Sequence, residues 1–399
     1  MTTSNLFTEL LGEDWIEENV AGYQVFRQRW SPSLKWSHRL PTTSPLVPLL
    51  YWNTVGTWES LDAPMGTWEG QPKEIWNRLT EELEEFRPYW DDGGIRSNNL
   101  SWALREPQRF YSLSHELSLA FFFAKRQGVS VDPLFLDPGS PKGSPDIVLD
   151  TESGGFAVQC KSEDPTQKGS LTYDQFQFLT GVYQRLVEDS GKSYHLSLRI
   201  TKDRFEIKDT YALRTRLRQI LSKGITTPSP MKGPGYELEL CEVGEGPGMV
   251  APARLMSRVI MLGGEPLYTE GASLGRSRQS SLFISGKRGK EVYMFIESAM
   301  THAVRHAVTD LPLLIAVHLY QDIAFDEFSQ RLSTREKLLP WTDLFFERNR
   351  TVPMILVSSN HERYSVLDLG PNVALKHGRN MWVVESPNWD HKDVEVLGV

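Results

Sequence analysis

The chain has few cysteines and no long apolar run. Its two cysteines, Cys160 and Cys241, follow no paired spacing, which excludes a cysteine-based zinc site and is typical of a reducing compartment. No stretch approaches the roughly 20 apolar residues that a membrane-spanning helix needs. The opening residues, MTTSNLFTELLGEDW, lack the basic start and apolar core of a secretory signal. We therefore expect a soluble, cytoplasmic protein with no membrane partner.

Basic side chains are outnumbered by acidic ones overall, 43 to 51, but are locally concentrated. The formal net charge is −8, which argues against nucleic acid coating the whole chain. Residues 59–92 carry ten acidic side chains against three basic ones, whereas residues 195–235 carry nine basic against three acidic. Residues 276–290 carry five basic side chains and no acidic one. Each run alone is typical of a solvated face.

Composition divides the sequence into three regions. Nine of the twelve tryptophans lie in the first 102 residues, which we interpret as a module of loops and short elements. It ends in an acidic stretch, PKEIWNRLTEELEEF, whose apolar residues have helical spacing, and the DDGG that follows marks a boundary. We predict a Trp-rich acidic module over residues 1–95, a second domain over 96–245 and a C-terminal α/β region over 246–399.

The second region alternates between helical and extended patterns. Residues 107–128, PQRFYSLSHELSLAFFFAKRQG, predict a buried helix closed by a glycine. VDPLF is consistent with a short strand, and DIVLD and FAVQCKS are strands joined by TESGG, whose glycines suit a hairpin turn. Residues 172–189 return to helical spacing, and residues 194–200 alternate as a strand. The order helix, strand, strand, strand, helix, strand predicts a mixed α/β layer architecture.

The remaining sequence contains elements of both kinds. YALRTRLRQILSKG predicts a helix and GYELELCEV an extended segment, and a Gly- and Pro-rich loop follows at 244–253. The last third adds a helical pattern, GKEVYMFIESAMTHAVRHAV, and two apolar strands, LPLLIAVHLY and TVPMILVSS. These strands can form a separate small domain or extend the central sheet, and both arrangements fit the pattern.

One stretch, SPDIVLDTESGGFAVQCKS, carries polar side chains at the ends of two apolar strands. Alternate residues of a strand point to the same face, so Gln159 and Lys161 share a face. Pairing across TESGG puts Asp146 opposite the end of the second strand, near the backbone carbonyl of Cys160. Such oxygen donors suit a hard divalent cation. A lysine beside the cation can stabilise negative charge on a phosphate group.

The stretch PDIVLDTESGGFAVQCK resembles the active-site hairpin of the PD-(D/E)xK nucleases, the restriction-endonuclease-like superfamily. The order of elements around it is similar to that family's αβββαβ core, a central mixed sheet flanked by helices. The resemblance covers residues 107–200 most directly and assigns residues 96–245 to a nuclease-like domain. It implies that Asp146 matches the PD aspartate, Gln159 the acidic position and Lys161 the lysine of the motif.

The resemblance also implies a fourth site residue and a metal ion. In this family the helix before the hairpin often brings a glutamate to the metal, and Glu116 occupies the matching place. Asp146, Gln159, Glu116 and the Cys160 carbonyl are the expected ligands of Mg²⁺, with Mn²⁺ as an alternative. Glutamine replaces the acidic residue here, a QxK variant similar to the catalytic domains of type IV restriction enzymes.

Glutamine ligates a metal without negative charge, so metal affinity is expected to fall unless Glu116 compensates. Three nearby acidic residues are alternative donors of the displaced carboxylate: Asp150, Glu152 and Glu163.

On such a nuclease, basic side chains outside the hairpin are candidate contacts for the phosphate backbone, which they neutralise without reading sequence. A solvated helix face explains them equally well. The candidates in the two basic runs are Arg214, Arg216, Arg218, Arg276, Arg278, Lys287 and Arg288.

Two further motifs are weaker. His302 and His306 stand four apart on one helical face, a spacing that can bind zinc. No third ligand or catalytic glutamate accompanies them in the sequence, so surface or core histidines are favoured. GEGPG at 244–248 lacks the Lys-Ser/Thr of a phosphate-binding loop.

The sequence therefore predicts a Mg²⁺-dependent endonuclease that hydrolyses DNA phosphodiester bonds, in prokaryotic defence or in a DNA-processing assembly. Two alternatives stay open. Glutamine at the acidic position is compatible with a catalytically inactive protein that serves as a DNA-binding or assembly platform. The second alternative is an RNA-cutting effector activated by a partner. The expected partners are DNA and other proteins, in a homo- or hetero-oligomer.

Overall fold

The computed structural model describes residues 3–29, 40, 42–55, 72–91, 95–137, 139–162, 178–179, 182–183, 189–190, 194–202, 205–222, 231–242, 281–285, 292–319, 339–359, 373–376 and 379–389. Its helices are α1 (Thr3–Leu11), α2 (Glu13–Arg29), α3 (Leu46–Val55), α4 (Pro72–Glu85), α5 (Arg87–Trp90), α6 (Ile95–Arg105), α7 (Pro107–Ala124), α8 (Ile207–Ser222), α9 (Val292–His306) and α10 (Leu339–Arg348).

The strands are β1 (Val129–Asp132), β2 (Ile147–Thr151), β3 (Gly154–Ser162), β4 (Tyr194–Ile200), β5 (Met231–Gly233), β6 (Tyr236–Glu242), β7 (Ser281–Ser285), β8 (Leu313–Leu319), β9 (Met354–Ser359), β10 (Val373–Lys376) and β11 (Arg379–Glu385). Helices and strands alternate along much of the chain, and the mixed α/β class is confirmed. None of the helices described has the length and apolar character to cross a bilayer.

Contacts divide the chain into two compact units. The first consists of Met1–Asn19, Thr43–Glu163 and Val292–Val399, and the second of Val20–Thr42 and Asp164–Glu291. This division runs differently from the predicted one at residues 95 and 245. In the sequence, the larger part of the second unit, Asp164–Glu291, is therefore inserted between β3 and α9 of the first unit.

The first unit contains a seven-stranded mixed sheet in the order β1-β2-β3-β8-β9-β11-β10. β3 pairs antiparallel with β2 and parallel with β8, and β8 pairs parallel with β9. The C-terminal strands thus extend the sheet that contains the hairpin, one of the two arrangements that the sequence left open.

Helices lie on both sides of β8 in this unit. α9 and α10 contribute Ile296 and Phe346 to a buried core with Val317, and each such side chain contributes about 1.5–3 kcal/mol by leaving water. The neighbouring residue His318 stacks on His115 of α7, with 4.9 Å between ring centroids. Because successive strand residues point to opposite faces, α7 lies on the face opposite α9.

The second unit contains a four-stranded sheet in the order β5-β6-β4-β7. β4 pairs antiparallel with β6 and parallel with β7. Leu196 and Leu198 of β4 are buried, as are Leu213 and Leu217 of α8. Arg199, on the other face of β4, is exposed, so the strand has the alternation of a sheet with one buried face.

The strand at 194–200 belongs to this second sheet, which corrects the expectation of one continuous αβββαβ core over residues 107–200. The parallel partner of β3 is β8 instead, and Ile315 of β8 lies opposite Gln159. Local alternation predicts that a segment is a strand, but it does not identify the partner. The prediction of the strand is confirmed, and its expected place in the hairpin's sheet is wrong.

The N-terminal region is more helical than predicted. Its described residues form α1 to α5, where loops and short elements were expected. Tryptophan has only moderate helix propensity, but Trp52, Trp76 and Trp90 are buried, and tertiary packing supplies most of a helix's stability. The predicted acidic helix corresponds to α4, and the predicted helix from Pro107 corresponds to α7, which ends at Ala124.

Candidate functional site

The hairpin of β2 and β3 holds the backbone of Asp146 in place. The two strands pair antiparallel from Ile147 opposite Val158 to Thr151 opposite Gly154. Just before β2, the Asp146 amide donates to the Val158 carbonyl at 2.9 Å, and the Asp146 carbonyl accepts from the Phe135 amide at 2.9 Å. Asp146 is therefore fixed on both sides where β2 begins.

The Asp146 carboxylate contacts the end of β3 directly. Its Oδ2 accepts a hydrogen bond from the Cys160 backbone amide at 2.6 Å and another from the Gln159 side-chain amide. Neither bond ends on Oδ1. The structure thus brings Asp146 and Gln159 together, and one carboxylate oxygen lies outside this pair of bonds.

Glu116 brings a second carboxylate from α7. Its side chain is buried, with 7% exposed. Burial raises the pKa of Glu116 to about 8, and the negative charge of Asp146 contributes in the same direction. The positive charges of Arg109 and Lys161 act against this rise. The buried Glu116 carboxyl is therefore close enough to Asp146 for a like charge to raise its pKa further.

The pKa of Asp146 is also raised above its ordinary value. Burial raises its pKa, while the Lys161 ammonium, the Cys160 amide, the Gln159 amide and Arg109 each lower it. Lys161 lies two residues after Gln159 on β3, opposite Val317 of β8, so alternation places both on one strand face. The four residues predicted from the sequence are thus linked by contact or by charge.

The Cys160 side chain has no nucleophilic character here. It is buried, and burial raises the pKa of its thiol well above the usual range, with added effect from the charges of Asp146 and Glu116. The thiol is neutral at neutral pH, and the thiolate is the form that attacks or binds metal. The backbone amide of Cys160 is used by Asp146, and its carbonyl as a metal ligand stays a prediction.

Two of the three alternative carboxylates, Asp150 and Glu152, lie at the turn end of the hairpin, away from this cluster. Asp150 pairs with Gly155 at the turn end of the hairpin, four residues and so about 13 Å along the strand from Asp146. Asp150 and Glu152 are both exposed. Glu163 lies outside the described residues. Among the described carboxylates, Glu116 is therefore the one that joins Asp146.

The candidate ligands are oxygen atoms, which a hard divalent cation prefers, but together they carry little negative charge. Within the described ranges, no three His, Cys, Asp or Glu side chains are grouped to hold a metal ion. The site has two carboxylate side chains. The third side chain with an oxygen donor is Gln159, whose amide is neutral. The pKa values of Glu116 and Asp146 are raised even though Lys161 and Arg109 act against the rise, and a cation such as Mg²⁺, held through oxygen ligands, would supply further positive charge.

A histidine layer behind the site was not identified from the sequence. His318 on β8 has its Nδ1 3.0 Å from the Ser358 hydroxyl of β9 and stacks on His115. All three side chains are buried. His115 precedes Glu116 on α7, so its stacking fixes the helix beside the site. The only sequence signal was a histidine within the apolar run LLIAVHL.

Two more residues near the site were also missed. Arg109 on α7 shifts the pKa values of both Glu116 and Asp146, and its guanidinium lies over the ring of Trp102 at 5.8 Å from the centroid. Neither residue belongs to the hairpin motif, so the resemblance did not include them.

Three of the seven basic residues predicted to contact the phosphate backbone lie among the described residues. Arg216 and Arg218 are exposed on α8, and Arg214 is half-buried. The other candidates, Arg276, Arg278, Lys287 and Arg288, lie outside the described residues, as does the GEGPG loop.

The histidine pair on α9 has the spacing expected of a helix. The rings of His302 and His306 are 3.9 Å apart between centroids, and both residues are exposed. They belong to no metal-binding group among the residues described.

Comparison of the chain with protein-family models, with curated proteins and with solved structures gives no match. What the protein does is therefore inferred from the residues and contacts described above.

Proposed function

We propose that this protein is a Mg²⁺-dependent nuclease, a QxK variant similar to the PD-(D/E)xK nucleases, that hydrolyses DNA phosphodiester bonds. The observation that carries the proposal is the direct contact of Gln159 with Asp146, together with the effect of the Asp146 charge on the buried Glu116. A structural hairpin has no need of a second buried carboxylate whose pKa is raised by the first. A cation site accounts for both, because a bound cation offsets the cost of burying the two charges.

The order of elements supports a restriction-endonuclease-like core that is interrupted. α7, β1, β2 and β3 supply the first four elements of the αβββαβ order. α9 and β8 supply the remaining helix and the strand parallel to β3. The insertion of Asp164–Glu291 separates the two parts in sequence, which explains why the resemblance in the sequence extended to the wrong strand.

Each site residue has a separate role in this proposal. Asp146, Glu116 and the Gln159 amide oxygen would hold the cation. When bound, the cation supplies positive charge that stabilises the negative charge developing on the phosphate group. Lys161 adds its ammonium beside the same phosphate. Water adds to phosphorus as the P–O bond to the leaving sugar breaks, and the sugar oxygen takes up a proton.

The two units carry net charges of opposite sign. The first unit carries 20 Lys and Arg against 37 Asp and Glu, a net charge of −17, and the second 23 against 14, a net charge of +9. A phosphate backbone is repelled by the first unit's net charge and attracted by the second's. We assign general backbone attraction to the second unit, with Arg216 and Arg218 of α8 as its described contacts.

Cleavage of supercoiled plasmid in Mg²⁺ or Mn²⁺ tests the proposal. Asp146→Asn and Lys161→Ala should each reduce the cleavage rate at least about a hundredfold, the scale of losing one charge-stabilising group. Asp150→Asn is the matched control, because it removes a carboxylate from the exposed end of the same hairpin. Cleavage that persists in Lys161→Ala, or that Asp150→Asn abolishes equally, contradicts the proposed site.

A second function, the non-catalytic DNA-binding platform, is favoured by one observation. Asp146 accepts both of its described side-chain hydrogen bonds within the hairpin, so it also has a structural use. DNA binding with no cleavage in any divalent metal supports the platform. RNA cleavage without DNA cleavage would support the effector alternative. Prokaryotic defence, oligomeric state and cytoplasmic location stay predictions from the sequence.

A further inference from the structure

Arg109 lies on the same side of α7 as Glu116. The two residues are seven positions apart, close to two full helical turns, so Arg109 stands about 10 Å along the helix from Glu116. Arg109 is exposed whereas Glu116 is buried. The charge of Arg109 is nevertheless felt by Glu116 and Asp146. Arg109 is therefore a solvent-facing cation on the side of α7 that carries Glu116.

Two other arginines of the first unit, Arg87 and Arg96, are held by carboxylates. Arg87 pairs with Glu9, Glu84 and Asp91. Arg96 pairs with Asp137 at 3.4 Å. Within the part of the chain that the structure describes, the Arg109 guanidinium has no carboxylate partner and only the ring of Trp102 beneath it. In a unit with a net charge of −17, such a cation is well suited to bind an anionic ligand.

Trp102 is more exposed than the other tryptophans of the α-helices α3 to α6 that the structure describes. It is 52% exposed, whereas Trp76 and Trp90 are 3% and 1% exposed. It lies in the last turn of α6 and meets Arg109 across the junction with α7. An exposed indole beside a guanidinium offers a flat surface for stacking together with a charge for a phosphate.

We propose that Trp102 and Arg109 form a subsite for an unpaired nucleotide next to the metal site. Trp102 stacks on the base, and Arg109 pairs with a phosphate adjoining the one that is cut. This subsite deepens the proposed nuclease function and rests on it. In a duplex, neighbouring bases cover one another, and only an unpaired base presents its flat face to a side chain. The substrate class is therefore a single strand, or a duplex with an unpaired end, flap or extruded base.

Binding in the absence of divalent metal tests the subsite separately from cleavage. A fluorescein-labelled single-stranded DNA oligonucleotide and the blunt duplex of the same sequence are titrated with protein in EDTA, and anisotropy gives both dissociation constants. Trp102→Ala should weaken single-strand binding roughly 5- to 100-fold, the measured range for one stacked base. Trp102→Phe should restore most of the affinity. Duplex binding should be nearly unchanged.

Arg109→Gln should weaken single-strand binding and reduce the slope of log affinity against log salt by about 0.7, as the loss of one phosphate contact predicts. Leu344→Ala is the matched control for Trp102, because Leu344 is an apolar residue 50% exposed on α10. Arg305→Gln on α9 is the control for Arg109. Both controls should bind like the parent protein.

The outcomes separate the two proposals. Loss of single-strand preference in Trp102→Ala and Arg109→Gln, with no cleavage by the parent protein in any metal, supports the subsite and overturns the nuclease. Cleavage that depends on Lys161, with single-strand affinity unchanged in both variants, overturns the subsite alone. An equal loss of single-strand and duplex binding in Trp102→Ala overturns the assignment to unpaired nucleotides.

Discussion

The side-chain amide of Gln159 donates a hydrogen bond to Oδ2 of Asp146. A glutamate at this position could not donate that bond when ionised, and its charge would add to that of Asp146. The glutamine thus favours the folded hairpin in the absence of metal, while it supplies one charge less for a cation. At position 159, glutamine therefore favours the stability of the metal-free protein, whereas glutamate would favour affinity for the metal.

Gln159→Glu should therefore increase affinity for Mn²⁺ about tenfold, which corresponds to about 1.4 kcal/mol, because ligand charge strengthens binding of hard cations. The same change should lower the melting temperature of the metal-free protein. Calorimetric titration with MnCl₂ and thermal melting in EDTA measure the two effects. Gln219→Glu adds the same charge on the exposed face of α8 and should alter neither. Equal Mn²⁺ affinity in Gln159→Glu and the parent protein contradicts the ligand role of Gln159.

Glu116 should make the metal-free protein less stable as pH rises. Its pKa is about 8 in the folded protein against 4.5 for a free glutamate. Below pH 4.5 both states are protonated and no penalty exists. Between about pH 4.5 and pH 8 the unfolded state loses the proton and the folded state keeps it, so stability falls by up to about 1.4 kcal/mol per pH unit from this group.

Glu116→Gln removes this pH dependence and should stabilise the metal-free protein by a few kcal/mol at pH 8, although it removes a proposed metal ligand. Urea denaturation in EDTA across this pH range is the measurement. Glu297→Gln, at an exposed position of α9, is the control and should leave the pH profile unchanged. A profile for Glu116→Gln that is parallel to that of the parent protein shows that Glu116 titrates normally.

Charge reversal on α8 should weaken DNA binding through loss of phosphate contacts. The double variant Arg216→Glu and Arg218→Glu should reduce the slope of log affinity against log salt for duplex DNA by about 2. The matched control reverses two exposed arginines of the first unit, Arg348 and Arg350, and changes the net charge equally. If both pairs weaken binding to the same extent, total charge decides the affinity and α8 has no special part in it.

Gly143 ties the loop before Asp146 to the end of α9. Its φ is +92°, and its carbonyl accepts a hydrogen bond from the Val308 amide at 2.7 Å. A Cβ at this position would lie 2.9 Å from the His306 carbonyl oxygen. Gly143→Ala should cost about 1–3 kcal/mol of stability and should slow cleavage by displacing Asp146. Gly22→Ala, in a helix with open space around the new methyl group, should be neutral or slightly stabilising.

Local patterns predicted most of the elements that carry the site. The hairpin register that brings Asp146 to the end of β3 follows from two apolar strands that are adjacent in sequence and joined by a two-residue turn at Glu152 and Ser153. The Glu116 helix was predicted from its apolar spacing. What these patterns could not supply is pairing between distant segments, and so β8 was not recognised as the neighbour of β3. Arg109 and Trp102 were missed because their mutual contact and their exposure are seen only in the folded structure.

The insertion after β3 also has a consequence for synthesis of the protein. Gln159 lies beside Ile315 in the finished sheet, so the ribosome must make more than a hundred further residues before that neighbour exists. Until then one edge of β3 has no strand to cover it, and such edges are prone to pair with other chains. Folding of this sheet has to wait for the carboxyl-terminal third, and shortened chains that stop before β8 are expected to aggregate.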